Sequence, residues 1–370
     1  MQKITRLVFI LVLVMMQHVV NAALTQEKLD KEVQAFVKNQ PVKAMIYGLW
    51  MNGKPISINA IGDSMTKVSA TKEMHFRIGG VTETMLTTLL MQMVEQKKVK
   101  LSDTIDQWYP DLPNASRVTL KMLANCTSGY PDYVYNKKFI DAVINHPFKY
   151  WSDKELLDYA LMQDPVFKPG TNQHYSHTDY VLLGSILKQV NEEPINALFH
   201  EGIFNELGMK NTRFNRTAPI ACPVLHSFSQ DRGVYEDATF WSPSWTSTSG
   251  SIVSTIQDLG VWANAWMNGS LLSEKSTQQL RAPETVGKGN NTPSRYFAMG
   301  FAVANHWLIQ NPSFGGYSGI FAVLPEKRIV FIAFNTLKPV STENNTNFSM
   351  ELWKQLAGKL APEFPLPSFK

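Results

Sequence analysis

Apolar residues recur at Val81, Met85, Leu86, Leu89, Leu90, Met93 and Val94 within the stretch FRIGGVTETMLTTLLMQMV, Phe76–Val94. Steps of three and four residues describe the stripe of an α-helix buried along one side. Gly79 and Gly80 stand at its start, where a helix has unpaired N–H groups and the positive end of its dipole. The same pattern predicts a short amphipathic helix over Leu24–Val37. It also predicts a hairpin from Ala44–Met51 and Ile56–Ile61, joined at Asn52-Gly53, a pair suited to a type I′ turn. Further helices are expected over Val118–Leu123, Ser152–Leu161, Val181–Val190, Glu193–Leu207, Ile256–Met267 and Ser349–Leu360. Two closing strands, Ile320–Leu324 and Arg328–Phe334, meet at Pro325-Glu326-Lys327. Strands at both ends around a helical middle predict an α+β chain, with an antiparallel sheet built from the two termini and an inserted helical lobe.

Composition adds a few bounds. A hydrophobic share of 44% with 18% charged residues is globular. The formal charge of +4 includes Lys3 and Arg6. No basic run or basic helix face is seen, which argues against a nucleic-acid partner. Lys3 and Arg6 precede the apolar run Leu7–Met16, and Val20-Asn21-Ala22 offers a small-residue cleavage site. Residues 1–22 therefore read as a secretory signal, leaving about +2 on a periplasmic or secreted chain with no membrane segment of its own. An uncleaved anchor is the alternative, and the run is short for a bilayer. Export opens a disulfide between Cys126 and Cys222, the only two cysteines. Two buried thiols are the other reading. Sequons at Asn114, Asn215, Asn268, Asn290 and Asn347 would matter only in a source that glycosylates its exports.

Three segments carry a resemblance: FRIGGVTETMLTTLLMQMVEQKKVKLSDTIDQWYPDLP, CTSGYPDY and PGTNQHYSHTDYVLLG. Together they resemble the serine β-lactamase/DD-peptidase superfamily, in its class C β-lactamase and D-alanyl-D-alanine carboxypeptidase branch. The resemblance covers about residues 27–360. It implies a β-lactamase/transpeptidase-like fold: an antiparallel sheet flanked by helices plus an all-helical lobe, in one domain over 23–370. The sheet lobe would come from about 24–80 and 295–365, and the helical lobe from about 81–294. In the family the first motif reads approximately FRIGSVTKT, with a nucleophilic Ser opening the helix and a Lys one turn later. Here those positions hold Gly80 and Glu83. The second motif, Tyr-x-Asn, is Tyr175-Ser176-His177, so the Tyr is kept and His177 replaces the Asn. The third, Lys- or His-Thr-Gly, corresponds to Phe314-Gly315-Gly316. That change implies a more apolar pocket with no fixed cation for a substrate carboxylate.

Each departure has a plain physical side. Ser and Lys at i and i+3 share a helix face, so the Lys can take the Ser proton. Gly80 has no oxygen to offer. Glu83 in the first turn gains about 0.3–1 kcal/mol from the helix dipole, where a Lys would lose it. Glu83 therefore reads either as a return to ordinary helix-start preference or as a group with a new role. Tyr175, without a nucleophile to deprotonate, reads as a packed or hydrogen-bonded tyrosine. The loose Ser-x-x-Lys strings starting at Ser64, Ser69 and Ser185 lie away from the helix start. His174, His177 and Glu83 make a conceivable zinc set, but the histidines lack the i, i+4 spacing of a helical zinc motif. No metal and no cofactor is expected.

Four functional side chains are thus changed while the frame around them persists. Deleting the nucleophile of the serine hydrolase subtilisin costs about 10⁶ in kcat. The expectation is an exported pseudoenzyme with no intact catalytic residue. It would keep a cleft at Gly80, Glu83, Tyr175, His177, Phe314, Gly315 and Gly316 for a peptidoglycan-like peptide, an acyl ligand or an envelope protein partner. One alternative is a working carboxypeptidase, β-lactamase or esterase with a rebuilt site, in which Glu83 and His177 face each other and orient a water. The other is a structural envelope protein.

Overall fold

Asn52 and Gly53 both take positive φ, +52° and +77°, as a type I′ turn requires. They close a hairpin of two long strands, Val42–Met51 and Lys54–Met65. In this computed structural model, which describes residues 25–339 and 346–368, that hairpin joins the strands from the other end of the chain. The segment read as a secretory signal, residues 1–22, lies outside the described residues. Val42–Met51 pairs with Ile329–Leu337, which pairs with Tyr317–Leu324; the antiparallel sheet then continues through Trp307–Gln310, Ala302–Ala304 and Arg295–Phe297. The last three strands, short and next to turns, carry too little alternation to be read from sequence.

The middle strands are buried on both faces, and their period of two divides the core. Ala44, Ile46 and Trp50 face the helical lobe, whereas Met45, Tyr47 and Leu49 face the helices at the two chain ends. The same split recurs at Val330, Ile332 and Phe334 against Ile329, Phe331 and Ala333. The end helices are Gln26–Lys38, capped by the Thr25 side chain, and Phe348–Leu360, capped by Asn347. The inserted middle is largely helical and carries two small antiparallel ladders as well, one of them joining Phe76–Arg77 to Ile252–Ser254.

The central helix, Val81–Glu95, differs from its expected one-sided burial. Thr82, Glu83, Thr84, Thr87 and Thr88 are buried along with the apolar stripe. Hydroxyls of a helix can bond back to carbonyls one turn earlier, which removes most of the cost of burying them. Thr84 donates to Val81 O at 2.7 Å, Thr88 to Thr84 O at 2.8 Å, and Thr87 to both Glu83 O and Met299 O at 3.0 Å. Threonine therefore serves as core here, which the apolar stripe alone does not show. The helix expected over Glu193–Leu207 is also broken: an α-turn at Ile195–Phe199 passes into a π-helical stretch, His200–Asn205. A side chain at Gly202 there would come within 2.7 Å of Leu89 on the central helix.

Candidate functional site: a closed hydrogen-bond chain at the helix start

Gly79, at φ +51°, turns the chain out of the strand Phe76–Arg77, and Gly80 caps the central helix. The edge of the sheet lies directly over this turn. A Cβ on Gly79 would sit 2.8 Å from Pro312 Cβ and 3.7 Å from Phe314 Cβ. The third motif thus stands beside the first, as its alignment requires. Phe314 pairs with Tyr317 around a tight turn at Gly315-Gly316, both at positive φ. Phe228 lies so close that a Cβ on Gly316 would be 2.5 Å from its carbonyl oxygen.

The space above Gly80 is filled. A Cβ there would fall 2.8 Å from Oε1 of Gln310, a distance at which one group must move. Gln310 ends the strand Trp307–Gln310 and its amide is firmly held. Nε2 donates to Gly300 O at 2.7 Å and to Glu83 Oε2 at 3.1 Å. Gly80 therefore leaves no vacant volume; a glutamine amide occupies the place of the family serine.

Glu83 is fully buried, and burial pushes its carboxyl well above the usual carboxylate range against the opposing hydrogen bonds from Tyr175 and Gln310. The Tyr175 hydroxyl donates to Glu83 Oε1. On its other side the hydroxyl lies 3.5 Å from Nε2 of His177, whose Nδ1 is 2.8 Å from Asp132 Oδ2. Asp132 also accepts from Val134 N at 3.0 Å, capping the turn Tyr133–Tyr135. The order is thus Gln310, Glu83, Tyr175, His177, Asp132. The direct Glu83–His177 pair expected from the motifs does not form. The Tyr175 side chain stands between them, and His177 turns its other nitrogen to an aspartate that the motif comparison passed over.

The seven expected cleft residues do not share one cavity. Phe314, Gly315 and Gly316 line a cavity of about 630 Å³ together with Trp245 and Tyr235. Gly80, Glu83, Tyr175 and His177 lie outside its lining. A smaller cavity of about 60 Å³ adjoins it, sharing Asp231, Trp245, Phe314 and Gly315, and Arg77 contributes to its wall. Lys338 borders the larger cavity, and a second cation, Arg77, borders the smaller one at Phe314, supplied from the strand before the central helix. The signal for Arg77 lay in the quoted sequence, as the Arg of FRIGG.

Other candidates separate. The Ser64 hydroxyl is tied to the backbone of Val224 and His226, and Ser185 to the Tyr109 hydroxyl. His174 packs its ring against Tyr135. Among the described residues no group of three His, Cys, Asp or Glu side chains gathers closely enough for a metal ion. The cysteines are unpaired: Cys126 is buried beside the Tyr180 hydroxyl at 3.5 Å, and Cys222 is exposed. No helix among the described residues is long and apolar enough to cross a membrane.

Comparison with known proteins agrees with this frame. The chain is 25% identical over 312 residues to the D-alanyl-D-alanine-carboxypeptidase/endopeptidase AmpH of Escherichia coli, covering 76% of each protein. It is 24% identical to Beta-lactamase-like protein 4 of Dictyostelium discoideum over 92% of this chain. The chain spans 64% of that relative's length and 50% of a Pseudomonas fluorescens beta-lactamase. Among solved structures, the D-amino acid amidase of Ochrobactrum anthropi SV3 superposes with a TM-score of 0.77 at 22% identity, over 90% of this chain and 99% of that one. The octameric penicillin-binding protein homologue of Pyrococcus abyssi gives a TM-score of 0.77 at 20% identity, over 92% and 79%. Those likenesses speak for the fold. With the beta-lactamase family model matching residues 29–350, this chain belongs to the beta-lactamase family of serine hydrolases.

Proposed function

We propose that this chain is a non-catalytic member of its family, exported to the periplasm or medium, that keeps a cleft for binding. The occupant would be a peptidoglycan-like peptide, an apolar acyl ligand or a protein partner. One observation carries the loss of chemistry. The volume of the family nucleophile is taken by the Gln310 amide, which is hydrogen-bonded to Glu83 at the position of the family lysine. Acyl transfer needs an oxygen or sulfur nucleophile with a base in reach, and neither stands at the helix start. The cleft reading draws on the cavity at Phe314 and Trp245. Incubation with penicillin followed by intact-protein mass spectrometry is the test. An unchanged mass is expected, and a stoichiometric gain on any residue would overturn the reading.

The rival, a rebuilt hydrolase, draws on the Asp132–His177 contact, which resembles an acid-oriented base. Against it, the hydroxyl beside His177 Nε2 is that of Tyr175, which is hydrogen-bonded to the buried Glu83 and does not stand at the nucleophile position that opens the helix. An ester-hydrolysis screen that finds turnover abolished by His177→Ala would favour the rival. A purely structural role would show as no thermal stabilisation by any cell-wall peptide or acyl ester.

A further inference from the structure

Arg77 is 3% exposed, yet its guanidinium is only partly satisfied. Nη2 donates to two backbone carbonyls, Thr217 O at 3.3 Å and Ala218 O at 2.9 Å. Among the described residues Nη1 has no hydrogen-bond partner and no carboxylate pairs with the side chain. Burial lowers its pKa to about 10, which still leaves it cationic at neutral pH. A buried cation without an anion is costly, and such groups are normally paired.

The surroundings define what could pair with it. Arg77, Ser242, Trp241, Trp245 and Phe314 border the cavity of about 60 Å³. One water needs about 10–15 Å³ of such space, so a carboxylate group fits and a longer ligand does not. The rest of a ligand has one natural continuation, because Trp245 and Phe314 also wall the cavity of about 630 Å³. Those two rings meet edge to face at 5.2 Å. The larger cavity's wall carries one charge of each sign, Asp231 and Lys338, so the rings of Trp245 and Phe314 rather than a net charge set the tail, and an ionised tail end would lose its hydration against them.

We propose that Arg77 anchors the carboxylate of an apolar monocarboxylic acid, its head in the small chamber and its tail along Trp245 and Phe314 in the larger one. This rests on the binding reading above and gives that reading a ligand class. The two fail separately, because a penicillin adduct would refute the loss of chemistry without bearing on Arg77.

The experiment titrates the full chain with hexanoate, hexanamide and adipate, followed by calorimetry and by tryptophan fluorescence from Trp241 and Trp245. Hexanoate should bind saturably, with the amide and the dicarboxylate at least about tenfold weaker, since a charge-assisted bond to a buried guanidinium discriminates by that much. Arg77→Met should remove the preference for hexanoate over hexanamide. Because that variant also loses the bonds to Thr217 and Ala218, Ile144→Trp supplies a second arm. It fills the small cavity from the facing helix Lys137–Asn145 and leaves the contacts of Arg77 in place, so it should abolish hexanoate binding. Equal binding of acid and amide, no saturable hexanoate signal, or undiminished binding to a folded Ile144→Trp would each overturn the proposal.

Discussion

Replacing Gly80 with serine restores the family nucleophile and tests whether the old site is truly closed. The backbone poses no obstacle: at φ −58° and ψ −11° a serine is unstrained, and losing glycine's unfolded-state freedom would stabilise by about 0.4–1 kcal/mol. The obstacle is Gln310, whose Oε1 lies 2.8 Å from the incoming Cβ. The amide cannot swing away freely, because its Nε2 satisfies Gly300 O and the buried Glu83 carboxyl. Overpacking of this kind costs about 1–3 kcal/mol, and each buried acceptor left without its donor costs about 1–3 kcal/mol. With both bonds kept by local adjustment, the overpacking cost less the glycine gain leaves a net loss of up to about 2.6 kcal/mol for Gly80→Ser, and a lost bond would add about 1–3 kcal/mol. Urea unfolding at equilibrium of Gly80→Ser, Gln310→Ala and the double variant isolates the clash. With alanine at 310 the serine fits, so the double variant should be more stable than the sum of the single changes predicts, by about 1–3 kcal/mol. Additive changes, within about 0.3–0.5 kcal/mol, would refute the claim that Gln310 occupies the nucleophile's volume. Gly80→Ser should also stay unlabelled by penicillin, because Glu83 cannot serve as the family lysine does; an acyl adduct would refute that part.

Glu83 and Asp179 are both buried carboxyls held above their ordinary range by burial. Their folded forms keep a proton that the unfolded chain releases near pH 4, so their contribution to stability should be greatest below that value and fall as pH rises toward the folded pKa values. Glu83→Gln should flatten this decline in urea midpoints measured from pH 4 to 8; an unchanged profile would count against a protonated Glu83. The double-mutant cycle of Asp132→Asn with His177→Asn should show a coupling above about 0.5 kcal/mol, whereas Glu83→Gln with His177→Asn should couple less, because Tyr175 separates them. A thiol reagent should modify Cys222 in the native protein and Cys126 only after unfolding; two fast-reacting thiols would contradict the burial of Cys126.

What the sequence determined by itself was local. Asn52-Gly53 specified its turn, and Ser152 with Glu155 formed the capping box that starts the helix Asp153–Leu161. The unbroken apolar run Ile329–Phe334 marked a strand buried on both faces. The motif frame was legible too, because a glycine in place of serine is visible without coordinates. Such signals act over a turn of helix or one strand pair, where propensity, capping and period decide the outcome. The tertiary structure alone decided which side chains meet. Gln310 reaches Glu83 across 227 positions, and Asp132 reaches His177 across 45. Neither spacing follows any period, so no pattern announced that a glutamine would fill the space above Gly80 or that Tyr175 would part Glu83 from His177. Arg77 shows the same limit from the other direction. Its place in the first motif was plain, but only the packing of Phe314 and Trp245 around one small cavity, and the lack among the described residues of a carboxylate paired with it, distinguish it from an ordinary buried arginine.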